Sequence, residues 1–165
     1  VGFRRGRIAC DQPTSGAPTA FVLANGFFDT KRPYDPLPGD PLSLARRFAF
    51  FCRAVVAYAN HWGADVVHLN DWQTGLAPLY GLIDVLEPAT LYSIHNLAYQ
   101  GNFPAEVLPQ IGVPTTFMRT ENGVEFHGQL SFMKGGLSLA DRLSTVSPTS
   151  ALRRGTYSIL SFLTM

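Results

Sequence analysis

Cysteine is scarce in this chain of 165 residues: Cys10 and Cys52 are its only two, far apart in sequence. Two such residues build neither a disulfide framework nor a paired metal-ligand motif. Both read as free thiols of a cytosolic protein, with Cys52 a small buried residue inside an apolar helical pattern. Charge is sparse too, with 15% charged residues and a formal net charge of +1. The pairs Arg4-Arg5, Arg46-Arg47 and Arg153-Arg154 are the densest positive points, and they read as solvated surface. That leaves no electrostatic footprint for nucleic acid or for an anionic membrane. No apolar run approaches the ~18 residues of a membrane span. The basic opening, Val1 to Cys10, has no hydrophobic segment behind it, so it is not a signal peptide. No His/Cys/Asp/Glu set has metal-binding spacing, and no repeat of solenoid period occurs.

What is present is the composition of a globular domain, 46% hydrophobic and long enough to bury a core. Residues 1–41 are weakly patterned. Phe21-Val22-Leu23 reads as a short strand closed by Asn25-Gly26, and the four prolines from Lys31 to Pro41 mark a loop. Ser43 is a candidate N-cap for a helix in which Leu44, Phe48, Phe51, Val55 and Tyr58 form the apolar face, ending near Gly63. Asp65 to Leu69 reads as a strand and Thr74 to Val85 as the helix behind it, with Pro78 tolerated in the first turn. Thr90 to Ile94 is the next strand. Pro104 to Ile111 forms a short helix stopped by Gly112, and Gln129 to Ala140 a further helix. Arg142 to Val146 is a strand, with Ser147-Pro148-Thr149 turning into another helix. This alternation predicts an α/β domain built on a parallel sheet. Within the tail at 152–165, Tyr157 to Met165 is apolar and uncapped, and the chain opens on Val1. Both features carry the expectation of a fragment with an aberrant or truncated end.

Two strands end abruptly in polar residues, at Asn70-Asp71-Trp72-Gln73-Thr74-Gly75 and at His95-Asn96. Adjacent parallel strands would bring these endings to one rim, where α/β sheets bind ligands. Asp71 can accept from a sugar hydroxyl or cap the helix that follows. Trp72 can stack on a sugar ring or pack. His95 and Asn96 offer neutral donors and acceptors at the strand end. His68, inside its strand, reads as a satisfied core residue, and His61 as a helix-end surface residue. Glu125 and His127 alternate on a short extended segment, with Gln129 and Ser131 as weaker candidates beside them.

Four blocks in order carry a resemblance to bacterial glycogen synthases and plant starch synthases, the family 5 glycosyltransferases. They are Asp65 to Pro78, with Asp71-Trp72-Gln73-Thr74-Gly75 at its centre; Ser93-Ile94-His95-Asn96-Leu97-Ala98-Tyr99-Gln100-Gly101; Gly123 to Leu137; and Ala140 to Thr149. The resemblance covers Leu42 to Ala151. It implies the amino-terminal half of a GT-B glycosyltransferase, a Rossmann-like parallel sheet with helices on both faces, with residues 42–151 as part of that catalytic domain. It further implies glucose transfer from ADP-glucose to the non-reducing end of an α-1,4-glucan, with retention of configuration and no cofactor. The compartment would be cytoplasmic, or a plastid in a plant. His95 would sit at the donor sugar as the catalytic residue, with Asp71, Asn96, Trp72, Gln73 and Gln129 binding substrate. The sequence departs from the family pattern at Gln73, where many relatives carry His, and Phe28 falls near an aromatic that approaches the donor. The family's opening Lys-x-Gly-Gly-Leu motif is absent. Met133-Lys134-Gly135-Gly136-Leu137 resembles it only superficially and matches a later helix of the same domain.

Overall fold

The computed structural model describes residues 6–11, 14 and 16–146. The turn at Ser147-Pro148-Thr149, the tail at 152–165 and the pairs Arg4-Arg5 and Arg153-Arg154 lie outside the described residues. β1 (Arg7–Asp11) and β2 (Thr19–Leu23) form an antiparallel hairpin, in which β1 is unforeseen and β2 runs longer than the predicted strand.

Helix α1 spans Ser43–Trp62 and stops where Gly63 turns left-handed, at φ 71°, to donate to the carbonyls of Ala59 and Asn60. Ser43 is not the cap. Leu42 holds that position, while the Ser43 hydroxyl accepts from Leu37 N at 2.7 Å and donates to Asp40 O at 2.6 Å. The buried face also differs from the predicted one. Ala45, Ala49, Cys52, Val56 and Ala59 lie deepest, and Leu44, Phe48, Phe51, Val55 and Tyr58 are only half-buried beside them. Small side chains bring the helix axis close to its neighbours, so the large residues are displaced to the flanks. Cys52 donates to Gln73 O at 3.2 Å, and burial pushes its thiol up to about 12.

Arg47 reverses the solvated reading of its pair, being 2% exposed. Its guanidinium donates to the carbonyls of Phe27 (2.5 Å), Pro33 (2.5 Å) and Asp35 (3.0 Å), so the proline-rich loop is fastened to the middle of α1. Burial lowers its pKa, and the Asp35 carboxylate partly offsets that. Arg46 pairs with Asp40 and donates to Gln110 Oε1 at 2.6 Å.

β3 (Val66–Asn70) leads through a single 3-10 turn at Trp72–Thr74 into α2 (Ala77–Asp84), which carries Pro78 in its first turn as predicted. β4 is Ala89–Ile94. The chain then makes β5 (Asn102–Pro104), the short α3 (Leu108–Ile111), β6 (Glu125–Phe126), β7 (Gln129–Ser131), α4 (Phe132–Leu139) and β8 (Arg142–Thr145). The predicted helix at Gln129–Ala140 therefore starts three residues late. Gln129–Ser131 pairs with β5 and β6 instead, and the Ser131 hydroxyl caps α4 by accepting from Lys134 N at 3.3 Å.

β3, β4 and β8 form a parallel sheet in that order, with Leu69 opposite Tyr92 and Tyr92 opposite Leu143. α2 packs against both α1 and α4. The core is Leu69, Leu76, Leu79, Tyr80, Tyr92, Phe132, Met133 and Leu137 with their neighbours. The other row of strand side chains is mixed, with Val66 and Leu91 beside a polar set at its carboxyl end. His68 Nε2 bonds Ser93 Oγ at 2.6 Å, and Ser93 Oγ bonds Ser144 Oγ. His68 is thus satisfied as foreseen but lies exposed, not in the core. Lys134 belongs to α4, 2% exposed, and its ammonium has no partner among the described residues. Burial lowers its pKa, and Glu125 partly offsets the effect. No helix among the described residues is long and apolar enough to cross a membrane.

Candidate active site

The parallel register of β3 and β4 sets Asn70 beside Ser93, so the two strands finish together. One more backbone bond, Asp71 N to Ser93 O at 2.9 Å, extends the ladder past the last paired residue. There the chain breaks away, with Asp71 at φ 55° and ψ −176°. That region favours glycine and is strained for a branched side chain. It turns the carboxylate across the rim. Asp71 Oδ1 accepts from His95 N at 2.8 Å and from Asn96 N at 3.1 Å. Among the described residues these two N–H groups have no strand partner, and the carboxylate satisfies both. The capping reading of Asp71 fails, because the 3-10 turn has no side-chain cap. Thr74 Oγ1 instead donates to the carbonyls of Asn70 (3.0 Å) and Asp71 (3.1 Å).

His95 is exposed at the rim, with Nε2 2.9 Å from Asn70 Oδ1. Asn96 Oδ1 accepts from Ala98 N at 2.9 Å, which starts the loop leading to Gly101. Gly101 sits at φ 61° against Trp72, and a Cβ there would lie 2.3 Å from the indole. Trp72 itself is 7% exposed, boxed by Phe48, Tyr34, Phe103 and Phe132 at ring-centroid distances of 4.8, 6.2, 6.1 and 6.0 Å. So enclosed a ring offers no open face to a sugar, and Trp72 serves as the floor beneath the rim.

Gln73 donates from Nε2 to the Tyr34 hydroxyl at 2.9 Å, and the Tyr34 ring, 57% exposed, lies over Phe48. Tyr34 is the residue that sequence reasoning missed. Phe28 lines a groove with Phe48 and Phe51. The only signal for Tyr34 was its place among prolines in a loop. Gln129 is exposed on β7, and among the described residues no hydrogen bond joins it to Asp71 or His95. Its sheet does meet the rim loop further on, where Ser131 Oγ, Phe132 N and Met133 N donate to the carbonyls of Gln100 and Gly101. Glu125 and His127 form the β6–β7 turn, with Glu125 Oε1 accepting from Gly128 N at 2.7 Å. No group of three potential metal ligands occurs among the described residues.

The arrangement is a rim of hydrogen-bonding groups around one carboxylate, suited to orienting a polyhydroxylated ligand. Residues 5–153 match the family described as the starch synthase catalytic domain. The chain is 48% identical over 125 residues to a glycogen synthase of Alkalilimnicola ehrlichii, a match that covers 72% of this chain and 26% of the relative. It is 46% identical over 144 residues to a glycogen synthase of Anaeromyxobacter dehalogenans, covering 82% of this chain and 30% of that one. Among solved structures, the catalytic domain of starch synthase IV from Arabidopsis thaliana, bound to ADP and acarbose, aligns with a TM-score of 0.72 at 25% identity. That alignment covers 88% of this chain and 31% of the plant enzyme. The chain thus spans about a quarter of the length of the first curated relative. Because the family match runs through most of the sequence and the fold agrees with a GT-B starch synthase, the chain belongs to the starch synthase catalytic domain family.

Proposed function

We propose that this chain forms part of the amino-terminal domain of an ADP-glucose:α-1,4-glucan glucosyltransferase, with residues 42–151 as the catalytic segment. Residues 1–41 lead into it, and the compartment is the cytoplasm, or a plastid in a plant. The observation that carries the reading is the Asp71 carboxylate gripping the backbone of His95 and Asn96 where two parallel strands end together. It is supported by the glycogen synthase names of the relatives and by the ADP and acarbose bound to the plant enzyme.

In this reading His95 touches the donor glucose. Retaining transfer builds positive charge at the anomeric centre and negative charge on the departing diphosphate, so groups positioned around the hexose act chiefly by orientation and electrostatics. Asp71 fixes the backbone that carries His95. Asn96 and Gln73 supply further polar contacts, Tyr34 stands beside Gln73, and Trp72 supports them from below. Gln129 contacts glucan from the neighbouring small sheet.

The chain contains no Lys-x-Gly-Gly-Leu segment to meet the donor diphosphate. By itself it is therefore proposed to bind glucan at most. Labelled ADP-glucose and glycogen, supplied to the purified 165-residue chain and to a full-length synthase carrying it, test both statements. Transfer is expected only in the longer protein. Incorporation by the isolated chain refutes the second statement, and an inactive longer protein refutes the first.

A further inference from the structure

Asn70 has no part in the function proposed so far, yet its side chain touches the one ring placed at the donor sugar. Its Oδ1 lies 2.9 Å from His95 Nε2. An amide oxygen can only accept, so Nε2 carries the proton. In a neutral imidazole that leaves Nδ1 with its lone pair, and among the described residues Nδ1 has no hydrogen-bond partner.

The backbone beneath this contact is held on several sides. Asn70 is the last residue of β3, its backbone sits in register with Ser93, and its carbonyl is held by Thr74 Oγ1 at 3.0 Å. The hydroxyl of Ser93, two residues before His95 on the same strand, is committed to His68 and Ser144. The Asp71 carboxylate is likewise committed, to backbone N–H groups and not to the ring. The imidazole therefore takes its orientation from a neutral acceptor. That acceptor fixes the tautomer of the neutral ring.

We propose that Asn70 is a positioning residue for His95: it locks the Nε2–H tautomer and one ring rotation, leaving Nδ1 to accept a hydrogen bond from a hydroxyl of the bound hexose. This rests on the glucosyltransferase reading for the identity of the ligand. The ring lock is a property of the free chain and does not depend on that reading. Only a neutral ring locked this way accepts at Nδ1; an imidazolium, or the opposite tautomer, would donate there.

Histidine-selective nitrogen NMR on the 165-residue chain reads the ring directly. The neutral ring of His95 is expected to carry its proton on Nε2 alone. Asn70→Ala should release it into exchanging tautomers while the His95 backbone amide, still held by Asp71, keeps its position. Asn70→Asp retains an acceptor oxygen and, at a pH high enough to keep the ring neutral beside a carboxylate, should restore the single Nε2–H signal. A wild-type ring protonated at Nδ1 in the neutral form, or a spectrum indifferent to Asn70→Ala, overturns the proposal.

In a full-length synthase carrying this chain, Asn70→Ala should lower kcat about ten- to a hundredfold. KM for ADP-glucose should move less than about threefold, because the lost orientation counts most in the transition state. Asn70→Asp should recover part of the turnover. An unchanged kcat for Asn70→Ala overturns the positioning role. A locked ring in an enzyme that transfers no glucose at all refutes the glucosyltransferase reading, and with it the sugar contact, while the lock itself stands.

Discussion

At the amino-terminal end of β4, the carboxylate of Asp141 accepts from the N–H and the hydroxyl of Thr90, both at 2.7 Å, while Thr90 Oγ1 accepts from Asp141 N at 3.0 Å. At the other end of the same strand, the Asp71 carboxylate accepts the N–H groups of His95 and Asn96. The two ties use the same chemistry, yet their backbones differ. Asp141 is not among the residues with a left-handed φ, whereas Asp71 is held at φ 55°. Such a conformation costs on the order of 1–3 kcal/mol, and it persists only where surrounding contacts enforce it. A relaxed aspartate suffices to fasten a strand. The strained one therefore points to a further demand at the carboxyl end, the rim where ligands bind in this kind of sheet.

The largest contrast between the two ends should be in turnover. In a full-length synthase carrying this chain, Asp71→Ala and His95→Ala should each lower kcat on the order of ten- to a thousandfold. Asp141→Ala should stay within about threefold of wild type, because it acts at the opposite edge of the sheet. Steady-state kinetics on the three variants checks this; a comparable loss for Asp141→Ala would erase the distinction. Next in size is stability. Asp141→Ala removes two bonds to a charged acceptor and should cost about 1–2 kcal/mol, the low end of the range because the carboxylate is exposed. Urea denaturation of the 165-residue chain measures it.

A smaller effect should appear in acid. The Thr90 N–H, followed by the Thr90 hydroxyl, holds Asp141 below the usual carboxylate range. The native state therefore releases this proton more readily than the unfolded one. Its contribution to stability is complete above the unfolded value of about 3.9 and is lost as pH falls through the lowered native value. Asp141→Asn should flatten the stability curve in that acid window and leave its slope above pH 5 unchanged, as denaturation at a series of pH values will report. The smallest expected effect is in Asp71→Gly, where relief of the strained φ offsets part of the two lost hydrogen bonds. Its melting temperature should exceed that of Asp71→Ala by a few degrees, on the order of 1 kcal/mol. If Asp71→Ala melts as high as Asp71→Gly, the backbone at this position carries no strain.

The pairing of β3 with β4 was legible because each is a β-rich run that stops at polar residues. Their alternation with helices dictated parallel neighbours, and the rim at Asp71, His95 and Asn96 followed. The bond from Asp71 to the next strand was not legible. An aspartate ahead of a helical turn reads as a cap, and nothing local announces a left-handed φ. Asn70 was invisible for a related reason, since its partner lies on another strand. For Trp72 the choice between stacking and packing stayed open, because sequence does not show how many aromatic residues converge on one ring. Ser131 was absorbed into the predicted helix because a three-residue strand leaves almost no period to detect. The fold of the sheet is thus written in local pattern, while the site depends on contacts between segments about 25 residues apart.

Arg47 grips its loop through carbonyl oxygens alone, those of Phe27, Pro33 and Asp35. Every amino acid carries that oxygen, so the grip is blind to which side chains the loop displays. Arg47 fastens the path from Phe27 to Asp35 from α1, beside ties made by the loop's own side chains, such as Arg32 to Asp35 and Phe27 on Phe50. Tyr34, delivered to the rim by that path, presents its hydroxyl to Gln73 and its ring to Phe48 and Trp72. The planar fork of arginine meets three carbonyls at once, which the point charge of lysine does not reproduce. A loop gripped by its carbonyls tolerates exchange at those of its side chains that make no contact of their own.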